Sequence, residues 1–105
     1  MANYVLVYQG MGGMPETEEE QAAVMAAWGA WYQGLGAAVV DAGNPFGPSA
    51  TISPDGAVAE SGTSGLTGYT ILSADSLDAA TVMAKDCPVL ADGINVEVYE
   101  TFEVM

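Results

Sequence analysis

Asn3-Tyr4-Val5-Leu6-Val7-Tyr8-Gln9, closed by Gly10 and then by Gly12-Gly13, is the stretch from which the fold can be read. Alternation along a strand puts Tyr4, Leu6 and Tyr8 on one side and Val5 and Val7 on the other, so both sides are apolar. The glycines break the strand. Thr17 followed by Glu18, Glu19 and Glu20 reads as a capping box, with three carboxylates at the positive end of a new helix. Met25, Trp28, Trp31, Tyr32 and Leu35 recur at threes and fours and make one wide apolar stripe, and Gly34 and Gly36 stop the helix near Leu35.

Outward from this unit the punctuation repeats. Ala37 to Ala42 carries Val39 and Val40 and ends in Gly43-Asn44-Pro45, a second strand and turn. Phe46 to Ser64 is rich in Gly, Pro, Ser and Thr, and Asp55-Gly56 marks a hairpin tip between Thr51-Ile52 and Val58-Ala59. Leu66 to Leu72 is the next core strand. Asp75 can cap a second helix from Ser76 to about Asp86, which Pro88 ends by pushing Cys87 out of helical geometry. A last strand runs from Ile94 to about Val104. The order β-α-β-(hairpin)-β-α-β predicts an α+β fold of the ferredoxin-like, split βαβ kind: one domain over residues 1–105, a four-stranded antiparallel sheet, both helices on one face, and an extra hairpin between the second and third core strands. Two helices cover one face only. The other face, bearing Val5 and Val7, needs a cover, and a second copy packing sheet to sheet supplies it, giving a homodimer with a barrel-like core.

Composition narrows the function. The 105 residues hold fourteen acidic side chains, one lysine, no arginine and no histidine, for a formal charge of -13. Nucleic acid and anionic membranes are excluded as partners, since both need clustered Lys and Arg. Without histidine there is no Ser-His or Cys-His nucleophile pair and no His-ligated zinc. No metal and no cofactor is expected: Gly10-Met11-Gly12-Gly13 lacks the third glycine and the lysine of a phosphate cradle, and Glu16 to Glu20 lack EF-hand spacing. The amino terminus has no basic n-region, no run of about 18 apolar residues occurs, and Cys87 is alone, so the expected location is cytoplasmic.

The opening Tyr4-Val5-Leu6-Val7-Tyr8 strand, the Trp-bearing helix ending in Leu35-Gly36, Val40-Asp41-Ala42-Gly43-Asn44-Pro45, Asp55-Gly56, Gly68-Tyr69-Thr70-Ile71-Leu72, Ala79-Ala80, Cys87-Pro88-Val89-Leu90 and Val96-Glu97-Val98 occur in an order that resembles the YCII-related, or DGPF-domain, family. The resemblance spans nearly the whole chain. It implies a dimeric α+β barrel, and among relatives it implies dehydrochlorination of a hydroxylated aromatic ring. Some members pair a histidine on the first helix with an aspartate as an acid-base dyad. Met25 to Trp28 occupies that stretch here, so the dyad is not carried over, and Asp55-Gly56 is followed by Ala57-Val58 rather than Pro-Phe.

Candidate site residues follow from both readings. Asp41 ends the second strand, where the resemblance puts the barrel mouth; a partly desolvated carboxylate there would have a raised pKa and could accept a proton. The alternative is a turn aspartate bonded to its own backbone. Asn44 and Tyr69 would orient a ligand, and Tyr8 and Trp31 would form an apolar wall. Trp28 and Trp31 cannot both face straight inward, so one indole lies at a rim. Glu100 falls by alternation on the apolar face of the last strand, and a bulge turning it outward is favoured over burying it. The expectation is a pocket per subunit between helix and sheet for a small organic molecule, aromatic ones included, with carboxylate-assisted proton transfer as its chemistry; a non-catalytic dimeric regulatory or accessory module is the alternative.

Overall fold

β1 (Ala2–Gln9) lies at the centre of the sheet because it is apolar on both sides, and its neighbours complete the order β2-β5-β1-β6, all antiparallel. In this computed structural model residues 2–10, 17–60, 62 and 65–102 are described. β2 is Val39–Asp41, β5 Leu66–Ala74 and β6 Asn95–Glu100, and a separate hairpin, β3 (Thr51–Ile52) with β4 (Val58–Ala59), stands between β2 and β5. This is the ferredoxin-like α+β arrangement, with the hairpin where it was expected.

Alternation decides which side of the sheet is the core. Tyr4, Leu6 and Tyr8 of β1 are buried, as are Thr70, Leu72 and Ala74 of β5. α2 (Leu77–Ala84) packs on this face through Ala80 and Ala84, whose small side chains let the helix approach closely. Its N-cap is Ser76, whose Oγ accepts from the Ala79 N–H at 3.1 Å, so Asp75 is not the cap. Cys87 turns the chain to extended geometry ahead of Pro88, and a short 3-10 turn, Pro88–Asp92, brings buried Val89 beneath the sheet's end.

α1 (Glu18–Leu35) is capped by Thr17, whose Oγ1 accepts from the Glu20 N–H at 3.1 Å. Only its last two turns reach the core. Trp31 is buried and its Nε1 donates to the Met83 carbonyl at 3.0 Å, while Trp28, Tyr32 and Leu35 pack around it half-buried. Met25 was expected on that stripe and is 75% exposed, because every residue from 18 to 27 lies beyond the packed part of the helix. A hydrophobic period shows which side of a helix can be buried; how much of its length is covered depends on what lies beneath it.

The last strand needs no bulge. Tyr4↔Glu100, Leu6↔Val98 and Tyr8↔Val96 pair in unbroken register, so Glu100 stays on the helix side, exposed at the sheet edge, and accepts from the Tyr4 hydroxyl at 2.9 Å. That contact replaces the outward turn expected from sequence, since an edge strand lets a carboxylate share an apolar face and still reach water. Burial first, and then Glu100, raise the Tyr4 phenol above its ordinary pKa. The irregularities fall elsewhere, between Tyr8 and Gln9 and within β2 between Val39 and Asp41.

Candidate functional site

A cavity of about 320 Å³ opens between the last turns of α1 and the sheet. Three rings form one side: Tyr8 from β1, and Trp28 and Tyr32 from α1. The Trp28 ring lies 5.7 Å from Tyr8 in an edge-on arrangement and 5.7 Å from Tyr32, so the three make a continuous aromatic wall. Ala42-Gly43-Asn44-Pro45, Thr67 to Thr70 and Val89 close the other sides. Gly68, opposite Tyr8, permits this geometry: a Cβ there would stand 3.2 Å from Tyr8 Cδ2 and press on the ring.

The hydroxyls in this wall are tied to one another. Thr70 Oγ1 donates to the Ala42 carbonyl at 3.0 Å and Tyr32 donates to the same carbonyl at 3.1 Å. Since Thr70 has given its only hydrogen, the short bond between Tyr8 and Thr70 carries the Tyr8 proton. Burial pushes the Tyr8 phenol far above its ordinary pKa, with the Thr70 hydroxyl pulling the other way, and burial also raises Tyr32. Cys87, buried beside Tyr8, is held as a thiol by the same desolvation. The network is thus uncharged at neutral pH.

A phenol whose folded pKa is raised contributes nothing that varies below about pH 10, and above it the unfolded chain ionises first, so stability falls as pH rises. Tyr8→Phe is expected to flatten the alkaline limb of a urea-unfolding series by about 1.4 kcal/mol per pH unit; an unchanged slope would show that Tyr8 is free to ionise in the folded protein.

The residues singled out from sequence divide. Tyr8 and Asn44 line the cavity. Tyr69 contributes to its wall, but alternation in β5 puts its side chain on the opposite face from Tyr8, where the ring stacks on Phe46 at 5.7 Å and 19°. Trp31 is not part of the lining; Trp28 is the rim indole. Asp41 is exposed and also outside the lining. The irregularity at Val40 pairs Asp41 with Ile71 rather than continuing from Val39↔Leu72, so the carboxylate follows Ile71 to the face away from the helices. There Oδ1 accepts from the Gly43 N–H at 2.8 Å and Oδ2 from the Tyr69 hydroxyl at 3.4 Å, the turn-aspartate arrangement.

Sequence reasoning places Tyr32 on the apolar stripe of α1 but misses its union with Thr70 and the Ala42 carbonyl in one network. The available signal was Thr70, the one hydroxyl on the strand face shared by Gly68, Leu72 and Ala74, which requires a buried partner. Among the described residues no three His, Cys, Asp or Glu side chains are grouped to hold a metal, and no helix is long and apolar enough to cross a membrane.

Comparison with known proteins places this architecture. No curated protein sequence matches the chain significantly. Among solved structures, 5-chloro-2-hydroxyhydroquinone dehydrochlorinase (TftG) from Burkholderia phenoliruptrix AC1100, in complex with 2,5-dihydroxybenzoquinone, is similar over 95% of this chain and 93% of its own, with a TM-score of 0.52 and 20% identity. That likeness is one of fold. The YCII-related domain matches residues 3–104, which take in all but the first residue of the sheet with both helices and the hairpin, and the chain belongs to the YCII-related domain family.

Proposed function

We propose that the protein binds a small, planar, largely apolar organic molecule in the cavity between α1 and the sheet, and that two copies meet through the open sheet face. The observation that carries this reading is the wall of Tyr8, Trp28 and Tyr32 around about 320 Å³, a volume at the lower end of those that hold small ligands. The fold shared with a protein solved with a small ring compound supports it. Among the described residues the lining contains no carboxylate, thiol or imidazole, so its groups hold and orient a ligand. Proton transfer by Asp41 would require that carboxylate to leave Gly43 and Tyr69 and reach the other side of the sheet, and the geometry therefore favours binding over acid-base chemistry within one subunit.

Titration with benzamide, followed by intrinsic fluorescence, tests the reading. Saturable quenching in about the millimolar range is expected, as suits a fragment of this size. Trp28→Phe should abolish most of the signal change, and Asp41→Asn should leave the midpoint within about twofold, because the amide oxygen still accepts from Gly43. A linear, unsaturable response would remove the cavity as a ligand site.

A further inference from the structure

We propose that this cavity selects its ligand by charge, admitting planar molecules that are neutral or cationic and donate hydrogen bonds, and excluding the corresponding anions. The inference rests on the reading of the cavity as a ligand site and adds what kind of molecule it takes.

Two independent observations carry it. The first is the direction of the hydrogen bonds. Tyr8 gives its hydrogen to Thr70, and Thr70 and Tyr32 give theirs to the Ala42 carbonyl. Thr70 is fully buried, so the hydroxyl that meets an entering molecule is that of half-buried Tyr32, which has given its hydrogen away and offers lone pairs to a donor on the ligand. In the facing loop the Gly43 N–H is held by Asp41, the Phe46 N–H by the Thr67 carbonyl, and Pro45 has none, which leaves the neutral Asn44 N–H. The donors left on the lining side chains, the Trp28 indole and the Asn44 amide, are neutral.

The second is the absence of any compensating charge. Lys85, at the C-cap of α2, is the only side-chain cation in the sequence, and it is not part of the lining. A second copy of the chain brings nothing but a second Lys85. An anion entering this site would give up its hydration without an ion pair, in the field of a chain carrying a formal charge of -13. A cation gains from that field and from the faces of Tyr8, Trp28 and Tyr32.

Benzoate, benzamide and benzamidinium are nearly the same shape and differ in charge at neutral pH, so they separate charge from fit. Monitored by fluorescence of the full-length protein at low ionic strength, benzamide and benzamidinium are expected to bind and benzoate to bind at least about tenfold more weakly. Benzamidinium should lose its advantage over benzamide as salt is raised. Asn44 is exposed, and Asn44→Lys places an ammonium at the cavity mouth; that variant should capture benzoate while keeping the wild-type fold by circular dichroism. If all three probes fail on the wild type, the ligand reading falls and charge selection with it. If benzamide binds and wild-type benzoate binds equally well, or if Asn44→Lys still excludes benzoate, the cavity binds but charge does not select.

Discussion

Gly43→Ala is expected to be the most damaging single-methyl change among the described glycines, lowering stability by more than about 3 kcal/mol and removing the benzamide binding proposed for the cavity. Gly43 has φ +80°, and a Cβ built on it would lie 1.7 Å from the Tyr69 carbonyl oxygen and 2.6 Å from its carbon. Main chain in the middle of a core strand cannot yield as a side-chain tip can. Two costs therefore combine, a backbone conformation unfavourable to any side chain and an overlap that moves either β2 or β5. Moving the 42–45 loop carries away the Ala42 carbonyl, on which Thr70 and Tyr32 both depend, so stability and binding fall together. Urea denaturation with a parallel benzamide titration reads both. Gly29→Ala supplies the contrast: it lies in α1 with nothing within 4 Å of a built Cβ, and it should gain about 0.5–1 kcal/mol from helix propensity alone. Wild-type stability in Gly43→Ala would mean that the loop does not sit against Tyr69 as described.

The same loop shows where the sequence is legible and where it is not. Gly43-Asn44-Pro45 announces a turn, and Tyr4-Val5-Leu6-Val7-Tyr8 announces a strand with two apolar faces, because both signals are local and depend on backbone chemistry or a period of two. Asp55-Gly56 between Thr51-Ile52 and Val58-Ala59 is local in the same way, and the hairpin stands where it was read. The direction of Asp41 is a different kind of fact. It turns on one extra residue, Val40, in the pairing of β2 with β5, and a single inserted residue reverses every later side chain. Glu100 errs in the opposite sense, for the bulge expected there is absent and the edge strand tolerates the carboxylate. Trp28 and Trp31 were recognised as competing for one position, but helical period alone does not say which is buried; Trp31 is, because Met83 of α2 offers its indole a carbonyl, a contact 52 residues away in sequence. The fold could thus be read from periods and turns, whereas the site depends on register and on which long-range acceptor each polar group finds.

Val5→Lys is expected to convert the dimer proposed above into a folded monomer. Val5 lies between Ile71 of β5 and Tyr99 of β6, and Val7 between Tyr69 and Glu97, so the middle of the open face is apolar and its rim carries Asn3, Gln9, Ser73, Asn95 and Glu97. Neither helix covers it. Under the proposed sheet-to-sheet association Val5 is near the centre of the buried patch, where an ammonium would lose its hydration and meet its symmetry mate's, a penalty of several kcal/mol. In the monomer the same lysine is exposed on the face opposite Leu6 and costs the fold little. The mass of the wild type in sedimentation should be about twice 10.7 kDa and that of the variant about 10.7 kDa, with matching circular dichroism and retained benzamide quenching, since Tyr8, Trp28 and Tyr32 lie on the other side of the sheet. Electrostatics gives the wild type a second signature. Each copy carries a formal charge of -13, and Asp41 and Glu97 lie on or beside the contact face, so association works against like charge that salt screens. The dimer should tighten as ionic strength rises toward about 0.5 M, where the screening length falls to roughly 4 Å. A wild type that is monomeric at micromolar concentration in that salt would leave Val5, Val7 and Ile71 facing water in the native protein, and association through the open face would have to be abandoned.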